Sequence, residues 1–96
     1  MTLSHFDWDE DKNRANQAKH GVPFQLAQRA FSDPSRVLVK DVEHSQSEDR
    51  FYCFGMVNAG VLTVRFTYRD KIICIFSAFY SRRGKDFYEL ENQVHR

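Results

Sequence analysis

The sequence has few cysteines and no long hydrophobic run. Its only two cysteines, Cys53 and Cys74, each stand within an apolar stretch and do not form a C-x-x-C pair. Neither a disulfide framework nor a zinc ribbon is therefore supported, and we expect free, buried thiols. The longest apolar run covers residues 72–76, far short of the roughly 20 residues that a membrane-spanning helix needs. We expect no membrane span.

The chain also lacks a strong net charge, and we expect no export signal. It carries 14 basic and 13 acidic side chains, a net charge of +1, which argues against a uniformly basic surface for nucleic acid. The charge is uneven, since residues 1–50 hold 7 basic and 9 acidic side chains and residues 51–96 hold 7 and 4. That distribution leaves room for a local basic site. The first residues do not combine a basic region with an apolar core, so we expect a cytoplasmic protein.

What the chain does have is a heavy aromatic content for its length. Of its 96 residues, 42% are hydrophobic and 15% are aromatic, a composition far from that of disordered chains. The length leaves room for one compact domain, and the aromatic side chains supply a core for it. We expect a single domain over residues 1–96.

The first helix is the best marked element. Asp9 is placed to cap the first amides, and Gly21 supplies the left-handed residue that ends a helix. Acidic side chains follow the cap and basic ones precede the end, as the helix macrodipole favours. Ala15 and Ala18 form a thin apolar stripe, which we expect to pack closely on a neighbouring element.

The spacing of hydrophobic residues then predicts a second helix, a sheet and a third helix. Phe24, Ala27 and Phe31 recur at helical spacing, and the pattern then changes to the period of two that is typical of strands. The four predicted strands cover residues 36–42, 50–57, 61–68 and 72–79. After Ser81 the spacing is helical again. The prediction is an α+β fold with two N-terminal helices, a four-stranded, mainly antiparallel sheet and a C-terminal helix.

Polar residues recur along one side of the first helix. Their positions are i, i+4, i+7 and i+8, occupied by Lys12, Asn16, Lys19 and His20. This set is either a phosphate-binding and proton-transfer face or an ordinary solvated stripe, and spacing alone favours the second interpretation. His5, His44 and His95 stand apart in the sequence, so we expect no three-ligand metal site.

Several short motifs resemble the BrnT family of type II toxins. The N-terminal ones are Phe6-Asp7-Trp8-Asp9, Lys12-x-x-x-Asn16-x-x-Lys19-His20-Gly21-Val22-x-Phe24 and Ala30-Phe31-x-Asp33-Pro34. The later ones are Asp49-Arg50-Phe51, Phe54-Gly55, Phe66-Thr67, Ser77-Ala78, Arg82-Arg83 and Tyr88-Glu89. Together they run from residue 6 to residue 89, and the Lys-His-Gly segment with its preceding Asp-x-x-Lys is the most specific.

The resemblance implies a RelE-like ribonuclease fold. Members of the family cut RNA without a metal and stop translation. A neighbouring BrnA antitoxin, usually a ribbon-helix-helix DNA-binding protein, neutralises the toxin, and the complex represses its own promoter. We therefore expect a hetero-oligomer with a BrnA-like antitoxin, an RNA substrate, contact with promoter DNA only through the antitoxin, and neither cofactor nor membrane.

Metal-free RNA cleavage needs a base, an acid and cations for the charge on phosphorus. His20 is a candidate for either proton-transfer role, although its place at a helix end favours the protonated form. The predicted catalytic residues are His20, Lys19, Arg50 and Arg83, and the predicted substrate-binding residues are Lys12, Asn16, Arg82 and Tyr88. Each of these roles has a structural alternative. Arg50 and Arg83 could instead form surface ion pairs with Glu48 or Glu89. Tyr88 could instead pack in the core.

Two positions depart from the family pattern. The family commonly has arginine after the Ser-Ala pair and glutamate after the next basic pair, where this chain has Phe79 and Gly84. Phenylalanine cannot replace a forked phosphate donor. The alternative function is therefore a catalytically silent relative that only binds an antitoxin or nucleic acid. A housekeeping RNA-binding domain has only the basic residues in its favour.

Overall fold

The computed structural model of the protein describes residues 5–94. The two ends of the predicted domain, residues 1 and 96, lie outside this range, and so does His95. It is an α+β fold with three α-helices and a five-stranded mixed sheet. The helices are α1 (Glu10–His20), α2 (Phe24–Ala27) and α3 (Arg82–Val94), and 3₁₀ turns cover Gln28–Ser32 and Val42–His44. The strands are β1 (Phe6–Asp7), β2 (Val37–Lys40), β3 (Arg50–Val57), β4 (Gly60–Arg69) and β5 (Ile72–Tyr80). None of the helices in this part of the chain is long and apolar enough to cross a membrane.

The sheet has the strand order β1-β5-β4-β3-β2. Strands β2 to β5 form the predicted antiparallel meander. The predicted sheet lacked β1, which lies parallel to β5 with Phe6 opposite Ile73. A strand of two residues is too short to produce a recognisable period of two, so the sequence pattern does not reveal it.

Helix α1 has the predicted ends. The Asp9 carboxylate accepts the backbone N–H groups of Asp11 at 2.8 Å and Lys12 at 3.3 Å. Gly21 has a φ of 71° and donates its N–H to the carbonyl of Gln17 at 2.8 Å. Both contacts satisfy backbone groups that a helix end leaves free.

The inner side of α1 is polar, so the expected alanine stripe is wrong. Ala15 and Ala18 are exposed, whereas Asn13 and Asn16 are buried. The Asn16 amide donates to the carbonyls of Val22 at 2.9 Å and Ala78 at 2.8 Å and accepts the N–H of Ala78 at 3.1 Å. Hydrogen bonds to backbone therefore fix α1 on β5 in place of apolar contacts.

The main core lies between one face of the sheet and the two N-terminal helices. Phe24, Leu62 and Phe66 are fully buried in it. Gly55 allows the 3₁₀ turn after α2 to lie directly on β3, because a Cβ atom there would come within 2.3 Å of the Ala30 carbonyl oxygen. Backbone thus packs on backbone at the centre of the molecule.

The opposite face of the sheet is only partly covered. Helix α3 packs on β3 and β4, where Phe54, Val61 and Tyr88 form a second, smaller core. The Tyr88 hydroxyl donates to Asp33 at 2.7 Å, which fixes the helix to the turn before β2. The rest of this side, which we call the open face, carries Arg50, Tyr52, Arg65, Thr67 and Phe76.

Candidate active site on the open face of the sheet

The strand register gathers arginine and aromatic side chains on the open face. Arg50 pairs with Thr67, and Tyr52 pairs with Arg65. Side chains of directly paired residues point to the same side of a sheet, and alternate residues point to opposite sides. The pair between them, Phe51 and Phe66, faces the core, so the polar and aromatic neighbours face away from it.

A β-bulge adds Phe76 to this surface. Arg65 pairs with Ser77 and Phe66 pairs with Ile75, so Phe76 is the extra residue of β5. Bulges redirect side chains in this way. The guanidinium carbons of Arg50 and Arg65 lie 4.8 and 5.1 Å from the centroid of the Phe76 ring.

Two aromatic rings contact Arg65 in addition to its hydrogen bond to Asp41. Its guanidinium also lies 5.6 Å from the centroid of the Tyr52 ring. Its Nε is buried and has no hydrogen-bond partner among residues 5–94. Ring faces attract cations without accepting conventional hydrogen bonds. Two guanidinium groups thus contact one aromatic ring, and we call Arg50, Arg65 and Phe76 the cationic centre.

Asp41 is a buried carboxylate beside this centre. It has 7% relative exposure, and it contacts His44 Nδ1 at 2.9 Å and Arg65 Nη2 at 3.4 Å. The Tyr52 hydroxyl also hydrogen-bonds to it. Burial alone would raise the pKa of Asp41, but its hydrogen bonds, first of all the one with His44, outweigh burial and lower that pKa. Asp41 is therefore ionised near neutral pH and links three side chains.

Lys12 and Arg50, both predicted from sequence, meet in one cavity. This cavity of about 290 Å³ lies between the start of α1 and strands β3 to β5. Glu48 also lines it, but the Glu48 carboxylate pairs with Arg69 at 3.2 Å. Arg50 lies over Phe76 instead, so the alternative of an ion pair between Arg50 and Glu48 is wrong.

His20 and Arg83 lie at the other end of the open face. Arg83 and Phe79 line a cavity of about 410 Å³, together with Glu43 and Tyr52. The His20 ring packs against Phe79 with a centroid distance of 5.3 Å. The predicted cations are thus spread along the surface and do not form a single cluster.

The remaining predicted residues divide into exposed and inward-facing ones. Lys19 and Arg82 are exposed. Asn16 does not share the surface of Lys12 and Lys19, because its amide is bound to the backbone of β5. Tyr88 has 9% relative exposure and binds Asp33, as the core-packing alternative predicted.

The two departures from the family pattern have different structural settings. A Cβ atom on Gly84 would lie 2.2 Å from Thr63 Oγ1, so α3 reaches β4 only because this position has no side chain. Phe79 occupies the border of the open face and provides the surface on which the His20 ring rests.

Sequence reasoning missed Asp41, His44 and Arg65. The alternation of Thr63, Arg65 and Thr67 in β4 was a usable signal for a polar side of the sheet. The spacing of three between Asp41 and His44 was a weaker one, because it places the two side chains together only if the segment forms a turn. Within the described residues, no group of three or more His, Cys, Asp or Glu side chains is arranged to hold a metal ion.

The family model described as the ribonuclease toxin BrnT of a type II toxin–antitoxin system matches residues 8–84. The chain belongs to the BrnT family. The match includes the cationic centre, Asp41 and His44, and it ends before Tyr88. Membership makes the chain a ribonuclease toxin of a type II system and implies an antitoxin partner. No curated protein sequence matches the chain.

Proposed function

We propose that this BrnT-family chain is a metal-independent RNA endonuclease of RelE-like fold that stops translation, and that it cuts RNA across the open face. The observation that carries the proposal is the pair of guanidinium groups over the Phe76 ring. Single-stranded RNA offers phosphates for cations and unstacked bases for aromatic rings. A surface that alternates the two suits that substrate better than it suits a neutral ligand.

The open face contains groups for the chemistry of cleavage. Arg50 and Arg65 are placed to stabilise the negative charge that develops on phosphorus when the 2′-hydroxyl attacks. His20, at the border of the same surface, is proposed as the acid that protonates the leaving 5′-oxygen. The flanking cations Lys12, Lys19, Arg82 and Arg83 are proposed to bind phosphates on either side of the cut. These charges can act without a bound metal.

The proposed partner is a BrnA-like ribbon-helix-helix antitoxin, bound in a hetero-oligomer that contacts promoter DNA only through the antitoxin. Inhibition is proposed to work by covering the open face, because an acidic or helical segment would compete with RNA for Lys12 and Arg83. A stable complex of this kind buries about 1,600 Å² or more in total.

The cleavage test uses purified protein and a labelled single-stranded RNA in the presence of EDTA. We expect wild-type cleavage to survive chelation, and Arg50→Ala and His20→Ala each to lower the rate at least about 100-fold with an unchanged melting temperature. The control is Arg29→Ala, since Arg29 is exposed and donates to Asn58 at 3.2 Å, away from the open face. Loss of activity on chelation that a divalent ion restores would contradict the proposed mechanism.

The second candidate function is a catalytically silent relative, favoured by Phe79 and Gly84 in place of arginine and glutamate. The same assay separates the two functions. Soluble, folded wild-type protein that binds the RNA in a gel shift but leaves it intact would support the silent relative. Near-normal cleavage by folded His20→Ala would remove only His20 from the proposed site.

A further inference from the structure

His44 is oriented by a buried carboxylate. Its Nδ1 lies 3.1 and 2.9 Å from the two carboxylate oxygens of Asp41. An ionised carboxylate only accepts hydrogen bonds, so Nδ1 carries the proton and the lone pair of the neutral ring lies on Nε2. The side chain is 53% exposed, so solvent and substrate can reach the imidazole.

The same carboxylate joins His44 to the cationic centre. Asp41 Oδ2 contacts both His44 Nδ1 and Arg65 Nη2. One oxygen atom therefore links the imidazole of His44 to the guanidinium group that we propose binds phosphate. Proton transfer gains most when the base is held in place before the substrate arrives.

Several elements supply the charged groups around His44. Asp41 precedes it on the same turn, Arg65 approaches from β4, Tyr52 from β3, and Glu43 is its neighbour in sequence. Only Asp41 has a hydrogen bond to the imidazole among the contacts of the described chain. His5 and His20, the other histidines of this part of the chain, have no comparable carboxylate on a ring nitrogen.

We infer that His44 is the general base of RNA cleavage and that Asp41 is its positioning residue. This inference rests on the proposed RNA endonuclease activity. His44 Nε2 takes the proton of the 2′-hydroxyl, and the 2′-oxygen bonds to phosphorus while the bond from phosphorus to the 5′-oxygen breaks. The 5′-oxygen leaves with the proton of the acid assigned above to His20. The products are a 2′,3′-cyclic phosphate and a 5′-hydroxyl, and no water is consumed.

The experiment measures single-turnover cleavage of the labelled RNA in EDTA as a function of pH. His44→Ala is expected to lower the rate at least about 100-fold and to abolish the fall in rate on the acid side that an imidazole base produces. Added imidazole is expected to restore part of the lost activity, which it would not do for a structural role. His5→Ala, which removes an exposed imidazole that has no carboxylate on a ring nitrogen, is the matched control and is expected to cleave normally.

Asp41→Asn tests the positioning role. It is expected to lower kcat with little change in KM, and to have almost no further effect in protein that already carries His44→Ala, because the two residues act as one unit. Additive losses in the double variant would overturn the role of Asp41. Should Asp41→Asn fail to fold, the exposed His44 variant still decides the main inference.

The outcomes separate the inference from the proposed function. Wild-type cleavage with equal cleavage by His44→Ala overturns the role of His44 and leaves the endonuclease standing. A wild-type protein that cleaves no RNA overturns the endonuclease and the role of His44 together. Cleavage that yields a 3′-phosphate without a cyclic intermediate overturns the proposed step.

Discussion

Asn16 occupies a place where a packed helix usually carries an apolar side chain. Its amide satisfies the carbonyls of Val22 and Ala78 and the N–H of Ala78. Each of these backbone groups would otherwise be buried without a partner, which costs more than an ordinary hydrogen bond contributes. The polar contact also fixes the helix at one position along β5, whereas an apolar contact would allow it to slide.

Replacing this amide is expected to destabilise the fold strongly. Asn16→Ala should lower the free energy of unfolding by about 3 kcal/mol, because three buried hydrogen bonds are lost and the backbone groups cannot reach water. Urea unfolding measures the change. The neighbouring exposed residue gives the control, since Gln17→Ala should change stability by less than about 0.5 kcal/mol. Equal values for the two variants would contradict a structural role for Asn16.

At the scale of elements, helix α3 depends on one missing side chain. Gly84 lies within the first turn of the helix, where it donates its N–H to Ser81 Oγ at 3.0 Å and lies against Thr63. Glycine is unfavourable inside a helix by roughly 1 kcal/mol relative to alanine. The close approach to β4 compensates for this cost, because it lets α3 bury Tyr88 and Phe54.

A methyl group at this position is therefore expected to displace the helix. Gly84→Ala should destabilise the protein by about 1–3 kcal/mol despite the better helix propensity of alanine, since its Cβ atom would overlap Thr63 Oγ1. Thermal unfolding checks the loss. Adding Thr63→Ala should recover part of it, whereas Lys85→Ala, on the exposed side of α3, should be nearly neutral. Stabilisation by Gly84→Ala would show that the helix has room to move.

Some elements of the fold could be predicted from the sequence, and others could not. Strands β2 to β5 follow from a period of two, and α1 follows from Asp9 and Gly21, because these signals are local. Strand β1 and the bulge at Phe76 depend on partners far along the chain, so no local pattern contains them. For the same reason the sequence predicts Lys12, Arg50 and Arg83 as cations and His20 as a proton-transfer group, but it does not predict the link between Asp41, His44 and Arg65.

At the scale of the whole molecule, Asp33 joins parts that are distant in sequence. Its carboxylate accepts the N–H of Met56 in β3 at 2.7 Å and the hydroxyl of Tyr88 in α3 at 2.7 Å. Burial alone would raise the pKa of Asp33, but these hydrogen bonds, the N–H of Ser35 and the charge of Arg36 lower that pKa below its usual value of 3.8. The ionised Asp33 carboxylate thus joins strand β3 and helix α3 to the turn before β2.

Stability should accordingly depend on pH through Asp33. Because the folded pKa lies below the unfolded one, the carboxylate stabilises the fold above the unfolded pKa, and this contribution is lost as pH falls through the folded pKa. Melting temperatures measured from about pH 6 to about pH 3 should show Asp33→Asn less stable than wild type at the upper end and the difference narrowing towards the lower end. A constant difference over that range would exclude this contribution.

The contact between Asn16 and Ala78 also sets an order of events during synthesis. The two residues are 62 positions apart, and a chain that grows from its N-terminus forms contacts only with residues already made. Helix α1 therefore has no docking site until β5 has left the ribosome, and Lys12 joins Arg50 only then. An unfinished chain carries the individual basic residues without the assembled surface, so the cell that makes this toxin meets the complete open face only when translation of the sheet is finished.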